Sequence, residues 1–360
     1  MSSEYRNNYI SIAKAIGIIL MVIGHSGCPS IINRFIYMFH MPLFFVCSGY
    51  FFKEVTSKTA LISFYKKRIK GLYVPYLKWS ILFLLFHNTF LHLNIYNSLT
   101  HSYPYLLGDY VNHLLKLFLM TDYELLIRPF WFIKELLYSS IIVSTISMVF
   151  NYFHLKIKIK YYLITTLFLS ILSKLIPTIP LLGDSSILFI CLLYFYTGIL
   201  INRYKYIITS SPTFLVSFAL ITLIGSFCFI GNIDMRYTTI YNIIPYYILS
   251  ISGIMMIFGI SKKLEESFMN KILYYIGNHT FYILALNLLA LKLGNLIKIC
   301  IYDMPIELLS SYTIITEHNS FFWIIYSMIG TLLPLLIEYN YKRFVYKLKN
   351  LINYLHNTKN

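Results

Sequence analysis

Two histidines and a lysine stand in stretches otherwise fit for hydrocarbon. IAKAIGIILMVIGH (12–25) carries Lys14 near its start and closes on His25, and FHMPLFFVCSGYFF (39–52) places His40 two residues before a proline. An ionisable side chain inside a bilayer costs about 2 to 4 kcal/mol even on the lenient insertion scale, so a functional site is the default reading. Neutral imidazole takes and returns a proton near pH 7, which suits His25 and His40 to general acid–base chemistry. Lys14 and His25 are eleven positions apart, so on one helix they point within about 20° of each other and lie about 16 Å apart along the axis. One helix face thus carries an ammonium at one end and an imidazole toward the other. The plainer alternative has Lys14 snorkelling to the headgroups and His25 bonding a neighbouring carbonyl. His40, at similar depth on the next antiparallel segment, shifts the balance toward a shared site.

These residues need a membrane scaffold to hold them. The chain is 58% hydrophobic and 12% charged, a composition that uses lipid as its solvent and excludes an ordinary soluble enzyme. Apolar segments of about 20 residues predict about ten spans: 9–28, 33–52, 71–93, 130–150, 161–179, 185–201, 213–231, 241–260, 272–293 and 320–340. The first holds Lys14 and lacks a small-x-small cleavage pattern, so it reads as a retained helix rather than a signal peptide. Pro42 and Gly49 fit a membrane-helix kink with close packing. The expected class is all-α, a polytopic bundle of about ten transmembrane helices. Residues 1–345 form the membrane domain and 346–360 a basic cytoplasmic tail.

Charge sets the expected orientation. The formal net charge is +16, but its distribution fits topology better than nucleic-acid binding. KEVTSKTALISFYKKRIK, HLKIKIK, NRYKY, SKKLEESFMNK and YKRFVYKLKN fall on one side with Arg6. The opposite loops hold only Arg34, Lys116, Arg128, Arg236 and Lys298, along with most of the loop acids, Asp184 among them. Both termini are therefore expected in the cytoplasm, with an even number of spans in a bacterial plasma membrane. The long loop 94–129 contains LLGDYVNHLLKLFLM, which predicts a short amphipathic helix on the interface. Cys28, Cys47, Cys191, Cys228 and Cys300 show no metal-ligand spacing or disulfide pattern.

The order KAIGIILMVIGH, FHMPLFFVCSGYFF, KKRIKGLYVPYLKW, PFWFIKELL, IGNHTFYILALN resembles the acyltransferase 3 family of membrane-bound O-acyltransferases over most of the chain. The resemblance implies a ten-helix bundle that moves an acyl group, usually acetyl, from a coenzyme A thioester to a hydroxyl of a cell-surface polysaccharide or lipid-linked sugar. Acyl-CoA is then a co-substrate, with no permanently bound cofactor or metal. The family's basic residue and histidine fall on Lys14 and His25. The family often has arginine at the first place; lysine keeps the charge but not the bidentate fork. Its basic segment before a proline falls on Lys67, Arg68 and Lys70, ahead of Pro75 and Tyr76, and its aromatic pair on Trp131 and Phe132. Many relatives end the ninth-helix motif on histidine, where this chain has Asn287, a hydrogen-bonding group that relays no proton.

In that setting Lys14 and the basic inner loop meet the donor's phosphates, and His25 serves as general base or acyl carrier. His40 orients it or binds the acceptor, and Ser48 is a candidate donor to the developing oxyanion. The rival reading is a secondary transporter or flippase using His25 and His40, which shares broken helices and intramembrane ionisable groups. Against it, the chain lacks a convincing inverted repeat, and its polar residues crowd into the first two spans.

Overall fold

The computed structural model describes residues 8–100, 102–175 and 185–357. Arg6 and Asp184, and the end of the expected 161–179 span, lie outside the described residues. The chain runs through α1 (Asn8–His25), α2 (Ser30–Tyr37), α3 (His40–Tyr50), α4 (Lys58–Arg68), α5 (Val74–Leu85), α6 (His87–His92), α7 (Leu107–Phe118) and α8 (Trp131–Tyr152). It continues through α9 (Ile159–Leu172), α10 (Ser185–Arg203), α11 (Pro212–Cys228), α12 (Ile243–Glu265), α13 (Asn270–Asn278), α14 (Thr280–Tyr302) and α15 (Phe322–Asn357). No strand occurs among the described residues. The protein is an all-α polytopic membrane protein.

Among the described residues, seven helices are long and apolar enough to cross a bilayer: 8–25, 30–50, 125–152, 186–203, 240–265, 280–302 and 322–350. The expected fifth and seventh spans appear as the shorter apolar helices α9 and α11. The expected 71–93 segment is divided. Pro75 has no N–H to donate, and just before it the helix passes through a π turn, Ile69–Tyr73, in which the Val74 N–H donates to Ile69 O. A second break at Phe86 then separates α5 from α6. The expected 272–293 span is shifted, because 270–278 forms a separate amphipathic helix and the chain leaves helical geometry at His279. The spanning helix starts at Thr280 and runs past Lys292 and Lys298.

The second span is broken at Met38 and Phe39, the latter at φ −141°, ψ −16°. Pro42 accounts for it: its ring removes the bond to Met38 O and crowds that carbonyl. His40 becomes the first residue of α3. Close packing elsewhere depends on missing side chains. A Cβ on Gly49 would stand 1.9 Å from Phe195 O, and one on Gly198 2.1 Å from Val46 O, so α3 and α10 touch backbone to backbone. Some hydroxyls inside the bundle bond back to their own helices, as Ser140 does to Leu136 O and Thr166 to Tyr162 O, which leaves those satisfied in lipid.

The bundle has two distinct ends. At one, Tyr9 donates to the Tyr50 hydroxyl at 2.6 Å, Lys262 lies over the Tyr9 ring, and Lys342 bonds His279. At the other, Asn319 donates to Gly27 O, Asn97 to Glu307 O and Arg34 to Phe229 O, tying three loops around the His25 end of α1. The α1 N-terminus and the distal part of α15 share the first end.

Candidate functional site

Lys14, Ile18, Met21 and His25 follow one another at i, i+4, i+7 and i+11, and all four line cavities inside the bundle. The first cavity, about 240 Å³, surrounds Lys14 and takes Ser48 from α3, Arg68 from α4 and Phe281 from α14. The second, about 530 Å³, surrounds His25 and His40 and takes Tyr37, Trp131, Arg128 and Arg236. Met21, Met41 and Leu284 line both. The polar groups of α1 therefore face two chambers that meet at three apolar side chains.

In the first chamber neither Lys14 nor Arg68 has a hydrogen-bond or carboxylate partner among the described residues, although Arg68 lies 5.0 Å over the Phe64 ring. The buried Ser48 hydroxyl is also unpartnered. Two unneutralised cations beside an apolar wall suit a polyanion with a thin apolar arm.

In the second chamber His40 is 3% exposed, and its Nδ1 stands 2.9 Å from Ile36 O. A carbonyl only accepts, so the neutral ring carries its proton on Nδ1 and keeps the Nε2 lone pair free. The Tyr37 ring packs edge-on against it at 4.8 Å. His25 has no hydrogen-bond partner among the described residues. Two imidazoles with available basic nitrogens thus share one chamber.

Loops supply the rest of this chamber. Arg236 lies over Trp131 at 5.0 Å and Tyr237 at 5.3 Å, and Arg128 over Tyr312 at 5.5 Å. Burial pushes the Asp234 carboxyl up, opposed by the Arg236 backbone N–H at 2.8 Å and the Arg236 charge. Asp122 is held by His113 at 2.9 Å. That pair belongs to a stack in which the Tyr105 ring lies between His87, at 3.5 Å, and His113, at 4.5 Å, with Glu124 holding His87. The predicted amphipathic segment is helical as α7, and this stack anchors it beside the chamber.

Of the residues expected from sequence, Lys14, Ser48 and Arg68 meet in the first chamber, and His25, His40 and Trp131 in the second. Ser48 is therefore beside Lys14 rather than in the lining around the histidines. Lys67 and Lys70 are exposed and outside both linings. Tyr76 is fully buried and donates to Leu117 O at 3.0 Å, holding α7 to α5. Asn287 donates to Ile283 O and Leu284 O behind the chamber walls, and its Oδ1 accepts nothing. Sequence reasoning missed Arg128, Arg236 and Tyr312. The signal available was the rarity of basic residues in those loops.

Sequence also placed Lys298 in a loop. It is wholly buried on α14, donating to Ile315 O at 2.8 Å, while Lys292 donates to Ser311 O. Between them Asn295 accepts from the Ile315 N–H and the Tyr326 hydroxyl. This ladder holds the 311–319 loop so that Tyr312 reaches the second chamber.

The structure is thus that of a multi-pass membrane bundle with two unpaired cations in one internal chamber and two imidazoles in the next. A family model described as an acyltransferase domain matches residues 7–339, and the chain belongs to the acyltransferase 3 family. No curated protein and no solved structure matches the chain.

Proposed function

We propose that this membrane acyltransferase moves an acetyl group from acetyl-CoA to a hydroxyl of a cell-surface polysaccharide or lipid-linked sugar. The observation that carries the reading is the single face of α1, which offers Lys14 to one chamber and His25 to the other. The donor's phosphates bind Lys14 and Arg68 from the cytoplasmic side, where the basic loops lie. Its pantetheine arm then runs along α1 past Ser48. The roughly 16 Å of helix between Lys14 and His25 is of the order of that arm's reach. Exposed Lys67 and Lys70 act at longer range, drawing the anion toward the entrance.

At the far end the thioester carbonyl meets the acceptor hydroxyl beside the histidines. His25 takes the hydroxyl proton as the oxygen bonds to the carbonyl carbon. The carbon–sulfur bond breaks, the thiolate takes the proton back, and the free thiol of coenzyme A leaves with the donor. His40, fixed by Ile36, presents Nε2 to the same space and orients the acceptor. In the covalent variant His25 first carries the acyl group itself. Purified protein given labelled acetyl-CoA and an acceptor glycan should release free thiol and label the glycan in a His25-dependent manner. Thiol release that persists unchanged in His25→Ala would remove His25 from the chemistry.

A further inference from the structure

Two arginines line the histidine chamber, Arg236 half-buried and Arg128 exposed at its rim. Arg128 and Arg236 lie on aromatic rings, and neither has a carboxylate within ion-pair distance among the described residues. The Arg236 Nε is buried with no hydrogen-bond acceptor. A guanidinium is always charged, and a buried donor left without an acceptor is costly, so the Arg236 Nε calls for an acceptor from outside the chain, with the exposed Arg128, on Tyr312, lining the same chamber as a second cation. Neither of the chamber's two carboxylates forms an ion pair with these guanidinium groups, although Asp234 feels the Arg236 charge. Asp122 pairs with His113, and Asp234 accepts the Arg236 backbone N–H rather than the side chain.

The geometry points to an anionic acceptor: we propose that Arg128 and Arg236 bind a negatively charged group attached to the sugar whose hydroxyl faces His25 and His40. This rests on the acyl-transfer reading above and narrows its substrate class. Planar guanidinium forks match carboxylate and phosphate oxygens, and the rings beneath hold the forks in place. The anion is either the carboxylate of an acidic sugar or the phosphate of a lipid carrier, and both present the same oxygen geometry.

The test uses the full-length protein in lipid nanodiscs with labelled acetyl-CoA and three acceptors: a glucuronate-terminated oligosaccharide, its glucose-terminated counterpart, and a polyprenyl-diphosphate-linked sugar. One or both anionic acceptors should be labelled at a KM at least tenfold below that of the neutral one, and which one responds identifies the source of the charge. Arg236→Gln and Arg128→Gln should raise the KM for the responding acceptor about ten- to a hundredfold while the KM for acetyl-CoA stays put. Binding of the unacylatable anionic sugar, followed by Trp fluorescence, should weaken in the same variants and with added salt. Equal use of the neutral sugar with unaltered acceptor KM in both variants overturns the proposal and leaves acyl transfer standing. Binding of the anionic sugar without labelling of any acceptor defeats instead the reading on which it rests. If the glutamines misfold, Arg236→Lys, which keeps charge but not the fork, gives the same discrimination through a partial rise in acceptor KM.

Discussion

His40 Nδ1 lies 2.9 Å from the carbonyl oxygen of Ile36, one turn earlier and across a helix break. That contact makes His40 a fixed group, whereas His25 has no hydrogen-bond partner among the described residues. His25 is free to follow a proton. His25→Ala should therefore abolish acyl transfer and leave a folded, inserted protein, since removing a polar group from lipid relieves an insertion cost. Turnover with purified, monodisperse protein checks it.

His40→Asn separates orientation from proton transfer. The carboxamide N–H₂ can still donate to Ile36 O but offers no basic nitrogen. If His40 only orients the acceptor, acceptor KM should rise while kcat keeps most of its value. A fall in kcat of a thousandfold at unchanged KM would mean that His40 transfers the proton.

Lys14 distinguishes phosphate binding from snorkelling. Lys14→Met keeps the stem and removes the charge, so the KM for acetyl-CoA should rise about ten- to a hundredfold, the equivalent of about 1.5 to 3 kcal/mol for one charge-assisted hydrogen bond. Lys14→Arg should keep or improve donor binding through its two-pronged fork. Donor kinetics of Lys14→Met that match wild type would end the donor role.

The backbone contact between α3 and α10 should tolerate no methyl group. Gly49→Ala would put its Cβ 1.9 Å from Phe195 O, forcing the helices apart at a cost of about 1 to 3 kcal/mol or more. Gly71→Ala is the control, because a Cβ there meets nothing within 4 Å. Thermal unfolding in detergent should fall for the first and hold or rise for the second.

The clamp on the 311–319 loop is open to hydrogen exchange. Lys298→Met leaves Ile315 O without the ammonium it accepts from, so local opening should grow about ten- to a hundredfold. Exchange in 311–319 should speed up while α14 stays protected. Unchanged protection would mean that Asn295 and Lys292 hold the loop alone.

Legibility in the sequence followed the reach of local patterns. The α1 face was readable because helix period alone aligns Lys14 with His25, and His40 was readable because its segment follows directly. Register failed at α14. The apolar run begins early in ILYYIG, which belongs to α13, so Lys292 looked like the end of a span and Lys298 like a loop residue, their carbonyl partners, Ser311 and Ile315, being distant in sequence until the chain folds. The arginines of the second chamber were visible only as sparse loop charges. Nothing local in 128 or 236 tells that both reach the space beside His25. Lys67 and Lys70, adjacent to Arg68, illustrate the reverse: a basic run points to a region, and helix rotation decides which member faces the chamber.

Met21, Met41 and Leu284 sit where the two chambers meet. A polar passage from one side of a membrane to the other would let protons run down their gradient, and a cell that stores energy in that gradient could not tolerate an open one. Three apolar side chains shared by the two linings offer a proton no polar group on which to hop. Two are methionines, unbranched and adaptable, so they can part for a slender arm and close behind it. On the proposed acyl-transfer reading, a chemical group would then pass between the chambers without charge passing with it.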